Sequence, residues 1–317
     1  MLALMFYCLW PKQEKEFDLP SSYTFTKIFV QDQNQSISSK IEKIKCVLNY
    51  FHRQEIIRPL NLTFKRISSH QRPKWRDLKI PLCQVELITD KNCTEDYRNS
   101  LMIDFANKYI AGGSLGSGCV QEEIMFFKHV EPLVSTLFTE KMENDECVVI
   151  KGCQRFNKTS GFKANFLFEE NFVENIFVDE SGRNQSFIVA IDAVDYVGRV
   201  REQLGAGEID RELSKALVGF SSDEGNVVDQ VATGRWGCGA FAGDDELKFI
   251  IQWLACSASN KKMLYLLWET PTAGNIRTLI HSVQSTLTVS DIYKALTKVT
   301  NLGTVINDLM LKLTQIS

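Results

Sequence analysis

The sequence lacks the residues to build itself around a metal ion or a disulfide framework. Its nine cysteines are an odd number with no CxxC pair, and its four histidines, His52, His70, His129 and His281, lie far apart. Zinc sites draw on closely spaced sulfur and imidazole ligands, so no metal site is expected. The thiols read as the reduced cysteines of a nuclear or cytosolic chain. No apolar run reaches the roughly 20 residues that span a bilayer. Excess positive charge is missing too: 36 basic residues face 39 acidic ones, a net charge of −3. Proteins that hold polyanions by charge alone are basic. Direct nucleic-acid binding is therefore not expected, and a phosphate-rich ligand would have to be met by directed backbone N–H groups. There is no internal repeat and no low-complexity segment. Five Asn-x-Ser/Thr sequons, at Asn34, Asn61, Asn92, Asn157 and Asn184, matter only in a secreted protein. The apolar opening, MLALMFYCLW, has neither the charged start nor the small-residue cleavage site of a signal peptide. It reads as part of a core helix whose upstream portion is missing.

What is present supports a folded α/β protein. Hydrophobic residues make up 44% of the 317 and charged residues 24%, which excludes wholesale disorder. Residues 1–75 read as helical and irregular. A loop is expected at 31–36, and a helix from Ser39 with Ile41, Ile44, Val47, Leu48 and Phe51 on its apolar face. Pro73, Trp75 and Pro81 mark a boundary between a helical part and an α/β region over 76–317. Strands are expected at 81–89, 100–107, 147–152, 186–192 and 263–269, several of them continuous apolar runs of the kind buried on both faces. Helices are expected from the glycine loop through Phe138 (restarted at Pro132), at 198–218, at 244–258 as an amphipathic helix, and from Val289, capped by Ser290. The result is a mixed β-sheet between helices.

Two segments carry chemistry. In the first, a strand ending IDFAN (Asp104, Asn107) leads into Ala111, Gly112, Gly113, Gly116 and Gly118, and then into Gln121, Glu122 and Glu123 at a helix start. Strand, glycine loop and helix N-terminus make a standing anion site, since glycine lets backbone approach a ligand. It is neither a P-loop nor GxGxxG. The bland alternative is a tight turn with acids favouring the helix dipole. Adjacent glutamates point differently, so they do not read as a matched acid–nucleophile pair. One can protonate a leaving oxygen while the other holds a sugar hydroxyl, and burial beside a ligand would raise the acid's pKa. In the second segment, Gly234-Arg235-Trp236-Gly237-Cys238-Gly239-Ala240-Phe241 lies between a strand-like stretch and a helix. It fits G-x-G-x-x-A formally, but the acid expected about 20 residues on is absent. A nicotinamide-dependent oxidoreductase is thus a weak alternative, and a glycine-rich helix cap is the bland one.

These residues resemble the poly(ADP-ribose) glycohydrolase family. The resemblance rests on AGGSLGSGCVQEEIMF after IDFAN, on ATGRWGCGAFAGDDELK, on YLLWE and on LTVSDIYKAL, with MFYCLWP and KIKCVLNYF similar to the family's helical accessory region. It implies a macrodomain with an N-terminal helical accessory region (1–75, truncated at its front) and cleavage of ribose–ribose O-glycosidic bonds in poly(ADP-ribose) without a metal or cofactor. It implies Glu123 as general acid/base, Glu122 holding the ribose hydroxyl, and Asp104 orienting the loop. Asn107, Gln121, Gly112 and Gly113 would contact ligand. Gly237, Cys238, Gly239, Ala240 and Phe241 would form a phosphate loop. Phe162 stands where the family has a stacking tyrosine, Trp268 where an aromatic flanks adenosine, and Thr94 and Glu95 in the adenine-edge segment. Ala111 replaces a glycine and Arg235 an asparagine. The resemblance also implies a soluble, monomeric protein of nucleus or cytoplasm that acts on poly-ADP-ribosylated proteins in the DNA damage response. The alternatives are a macrodomain that binds ADP-ribose without cutting it, and a hydrolase of protein-linked mono-ADP-ribose.

Overall fold

The computed structural model describes Ile28 and residues 37–54, 60–69, 72–90, 92–223, 227–267, 270–283 and 286–315. The readings of 1–10 as a helix and of 31–36 as a loop lie outside these residues. In chain order the elements are α1 (Ile37–Gln54), β1 (Thr63–Ser68), β2 (Val85–Ile88), β3 (Leu101–Ala106), α2 (Gln121–His129), β4 (Glu146–Lys151), β5 (Asn157–Ser160), β6 (Leu167–Asn171), β7 (Phe187–Asp192), α3 (Ala206–Phe220), β8 (Gln230–Gly234), α4 (Asp245–Ala258), β9 (Lys262–Leu266), α5 (Ala273–Val283), α6 (Val289–Leu296) and α7 (Val305–Leu313). Seven strands form one sheet in the order β1-β4-β7-β3-β8-β9-β2, and β5 and β6 pair separately. The chain divides into two compact units, Met1–Lys65 with Asp104–Glu143 and Val149–Ala190, and Arg66–Ile103 with Asn144–Val148 and Ile191–Ser317.

In the first unit, α1 buries a polar face. Ile41 and Leu48, expected inside, are 47% and 62% exposed, while Lys40, Glu42, Lys43, Cys46 and Val47 are buried. The reason is hydrogen bonding. Glu42 accepts the N–H of Phe168 at 3.0 Å on β6. Asn157, fully buried at the start of β5, donates to the carbonyls of Cys46 at 3.2 Å and Phe127 at 2.7 Å, and accepts from Asn49 at 2.7 Å. One amide side chain thus ties α1, α2 and β5 together. Its burial also closes the Asn157 sequon to modification in the folded chain. After α2, Pro132 opens a 3-10 helix over Glu131–Leu137 in place of the expected α-helix.

In the second unit, β2, β9, β8 and β3 are parallel neighbours, with Val85 opposite Met263, Val231 opposite Met263 and Leu101 opposite Val231. Central β8 and β9 are almost wholly buried, as their apolar runs require. Helix α4 is buried from Glu246 to Ser257, so it is a central helix and not the amphipathic one expected. Its polar residues are all engaged. Asp244 accepts the N–H of Leu247 at 2.9 Å as the N-cap, and Gln252 donates to the Gly234 carbonyl at 2.9 Å. Glu246 accepts from Asn275 on α5 at 2.6 Å and from the Ile306 N–H at the start of α7 at 2.8 Å. The expected helix over 198–218 is broken at Gly205, with a 3-10 turn before it and α3 after it. Helix α6 is capped by Thr288, which exchanges hydrogen bonds with Asp291, and not by Ser290, which is buried inside the helix.

Asn157→Ala leaves two buried carbonyls and the Asn49 amide without this partner. It should cost about 2–4 kcal/mol in urea denaturation; a loss below about 1 kcal/mol would show that α1 is held by other contacts.

Candidate active site

The first unit brings the glycine loop, Asp104, Asn107, Gln121, Glu122 and Glu123 together. Strand β3 ends at Ala106, and α2 begins at Gln121. Between them the backbone enters the left-handed region at Ala111 (φ 73°) and Gly112 (φ 45°). The turn wraps the loop around the two glutamate side chains. Glu122 accepts the N–H of Asn107 at 2.9 Å on Oε2 and of Ala111 at 2.7 Å on Oε1. Glu123 accepts the N–H of Gly113 at 2.8 Å on Oε1 and of Val120 at 2.8 Å on Oε2. The second of these is half a capping box, made without a polar N-cap residue. Each carboxyl is therefore fixed by two backbone donors, and both are buried.

Gly112 lies between them. A Cβ built there would stand 2.6 Å from Oε2 of Glu122 and 2.7 Å from Oε1 of Glu123. The absent side chain is what lets the backbone pass both acids. Ala111 takes the left-handed conformation with its methyl fully buried, at a backbone strain of about 1–2 kcal/mol.

Asp104 is fully buried on β3. Burial raises the Glu122 pKa well above its ordinary 4.5, and the charges of Asp104 and Glu123 push it further; the Asn107 and Ala111 amides oppose the shift. The environment of Glu122 thus favours its protonated form. Asn107 uses its side-chain carbonyl on the Tyr109 N–H at 3.0 Å. Gln121 uses its own on the Phe105 N–H at 2.8 Å, which stitches α2 to β3. Phe162 is 41% exposed, and the next residue, Lys163, donates its N–H to the Cys119 carbonyl at 2.8 Å. An exposed aromatic is thereby tethered to the end of the glycine loop.

The sequence reading missed Lys43. From α1 its ammonium reaches the carbonyls of Ser114 at 3.0 Å, Gly116 at 3.1 Å and Gly118. Its only signal in the sequence is phase: Lys43 precedes the buried Cys46 and Val47 by three and four residues.

The other expected site residues belong to the second unit. Gly237 (φ 76°) opens a tight turn after β8, closed by the Gly243 N–H on the Gly237 carbonyl at 2.9 Å. Trp236 is fully buried and donates to the Ile191 carbonyl at 2.9 Å. A Cβ at Gly237 would meet Ala193 at 2.6 Å and the Lys248 ammonium at 3.2 Å. Arg235 is engaged by Asp245 through paired contacts of 2.9 Å at the start of α4. Cys238 is half-buried, and Gly239, Ala240 and Phe241 follow it in the turn. Thr94 and Glu95 are buried in a 3-10 turn, with Thr94 donating to Glu95 at 3.0 Å. Trp268 lies outside the described residues. Among the described residues there is no cluster of metal-ligating side chains and no helix long and apolar enough to cross a membrane.

Known proteins bear on this geometry. A family model described as poly(ADP-ribose) glycohydrolase, macro domain fold, matches residues 72–274, and one described as the helical domain of the same family matches residues 1–70. The chain is 27% identical over 348 residues to the probable poly(ADP-ribose) glycohydrolase 2 of Arabidopsis thaliana, covering 93% of this chain and 66% of that protein. It is 33% identical over 240 residues to poly(ADP-ribose) glycohydrolase 2 of Caenorhabditis elegans, covering 71% and 50%. It thus spans two thirds or less of these relatives. The crystal structure of poly(ADP-ribose) glycohydrolase from Thermomonospora curvata aligns at a TM-score of 0.47 with 11% identity, over 74% of this chain and 95% of that one, a likeness too slight to add weight.

Two outcomes follow from the loop. Gly112→Ala adds a Cβ at positive φ against both carboxyls and should destabilise the fold by about 1–3 kcal/mol in chemical denaturation; an unchanged midpoint would mean that the acids do not sit against the glycine. The second concerns pH. Because the folded state binds the Glu122 proton more tightly than the unfolded state, its contribution to stability is full below the ordinary 4.5 and is lost as pH rises above it. Glu122→Gln cannot ionise, so stability measured by urea should move in the variant's favour, relative to the parent, as pH rises. A difference that stays constant with pH would contradict the assigned environment.

Proposed function

The chain belongs to the poly(ADP-ribose) glycohydrolase family, and from that premise we propose that it hydrolyses the ribose–ribose O-glycosidic bonds of poly(ADP-ribose) to release ADP-ribose, with Glu123 as general acid and base. The observation that carries the reading is the pair of acids flanking Gly112, each clamped by two loop amides. A carboxyl held by two N–H donors has one orientation, and a fixed orientation is what proton transfer to a leaving oxygen needs.

In the proposed reaction, Glu123 in its acid form gives its proton to the departing ribose oxygen as the glycosidic bond breaks. Positive charge develops on the anomeric carbon. Glu123, now ionised, takes a proton from the incoming water, whose oxygen bonds to that carbon, and the acid form is restored. Glu122, whose surroundings favour its protonated form, holds a ribose hydroxyl while its two amide contacts keep it in place. Asp104 supports the protonated state of Glu122 from the strand. Phe162 offers an exposed ring for stacking; relative to tyrosine it lacks one hydroxyl hydrogen bond, worth about 0.5–1.5 kcal/mol.

Asn107, Gln121, Gly112 and Gly113 are proposed ligand contacts from the loop, and Gly237, Cys238, Gly239, Ala240, Phe241, Thr94, Glu95 and Trp268 rest on the family resemblance. The junction of the two family models, between residues 70 and 72, lies near the boundary of the proposed accessory region, 1–75, and the proposed catalytic domain, 76–317. Poly-ADP-ribosylated proteins of nucleus or cytoplasm are the proposed partners of a monomer, in the response to DNA damage. Arg235, occupied by Asp245, gives no support to a direct phosphate contact.

Incubation with purified polymer and analysis of the released nucleotide tests the proposal. The parent should release ADP-ribose. Glu123→Gln should lower release by about 10²–10⁴-fold while ADP-ribose affinity is retained. Binding without product from the parent would favour a reader of ADP-ribose, and unchanged turnover in Glu123→Gln would refute the assignment.

A further inference from the structure

Lys43 takes no part in the proton transfer, yet it is fully buried against the loop that carries the acid. An ammonium has three donors and no acceptor. Here the donors meet the carbonyls of Ser114, Gly116 and Gly118, and the ring of Phe127 lies 5.3 Å from Nζ. The three carbonyls come from alternate residues of one loop. In a planar trans peptide the C=O and the following N–H point in opposite directions. Drawing these carbonyls to one point therefore turns the amides of Leu115, Ser117 and Cys119 to the other side. Glu123 holds the same loop near its two ends, through Gly113 and Val120. A run containing Gly112, Gly113, Gly116 and Gly118 has few side chains with which to hold itself.

We propose that Lys43 is a positioning residue: by gathering the carbonyls of Ser114, Gly116 and Gly118 it fixes the loop that clamps the Glu123 carboxyl. The inference rests on Glu123 as the acid/base of the proposed reaction, and it makes α1 a working part of the active site. A role as a plain anchor for α1 is the alternative. Asn49 separates the two, because it ties the same helix to Asn157 and Phe156 without touching the loop.

The experiment compares the full chain with Lys43→Met, Lys43→Arg and Asn49→Ala, by steady-state polymer hydrolysis and by hydrogen exchange of residues 113–120. Lys43→Met should lower kcat by about 10–100-fold with KM within about threefold, since a shift of roughly an ångström in a reacting group has that effect. Lys43→Arg should recover part of the loss, Asn49→Ala should leave kcat unchanged, and only Lys43→Met should speed exchange in the loop. Unchanged kcat in Lys43→Met, an equal loss in Asn49→Ala, or unchanged exchange would each overturn the assignment. If the parent fails to turn over polymer, the proposed function fails, and loop exchange alone then decides the hold of Lys43: faster exchange supports it and parental exchange rejects it.

Discussion

Two carboxyl groups and one ammonium hold the loop between β3 and α2 by its backbone. Glu122 and Glu123 accept four amides, from Asn107, Ala111, Gly113 and Val120. Lys43 donates to three carbonyls of the same stretch. Buried backbone polar groups have to find partners, and a glycine-rich loop cannot supply them from its own side chains. The loop's own backbone supplies some, the Gly116 and Gly118 N–H groups both donating to the Gly113 carbonyl, and the charged groups supply the amides and carbonyls named above, so the shape of the loop and the orientation of the acids are coupled. The proposed chemistry depends on that coupling, because an acid that organises backbone is also an acid held still.

The second unit has its own buried charge. Asp192 pairs with Arg211 and Lys215, both at 2.7 Å, and Glu212 pairs with Arg211 at 2.6 Å and with Lys248. Burial lowers the Lys248 pKa well below its ordinary value, and Arg211 adds to the effect. Lys248 lies 4.5 Å from the centre of the Trp236 ring, beneath the turn that Gly237 opens. The ion pairs carry a desolvation cost, so they are weak evidence of added stability.

Much of this was legible in the residues. The strand–glycine–helix unit was visible because three local signals coincide: an apolar run that ends at Asp104 and Asn107, four glycines, and acids where a helix dipole favours them. Strands β3 and β9 were visible because both of their faces are buried. The buried face of α1 was not. Periodicity assigned Ile41 and Leu48 to the core, whereas the fold buries Lys40, Glu42 and Lys43, whose partners are up to 126 positions away in sequence. Hydropathy has no term for a lysine satisfied by distant carbonyls. The pairing of β5 with β6 and helices α5 and α7 also escaped it. The β5–β6 pair is short and polar, and α7 donates a hydrogen bond from its N-terminus to Glu246, which no local motif announces.

In the proposed reaction the Glu123 carboxyl, held by the Gly113 and Val120 amides, stands at the bond to be cleaved. A crystal structure of the chain with ADP-ribose bound measures this directly. The expected result is a Glu123 carboxyl oxygen about 2.6–3.2 Å from the glycosidic oxygen position of the terminal ribose, directly or through one water. A bound ribose whose anomeric centre faces away from Glu123, with both amide clamps intact, would contradict it.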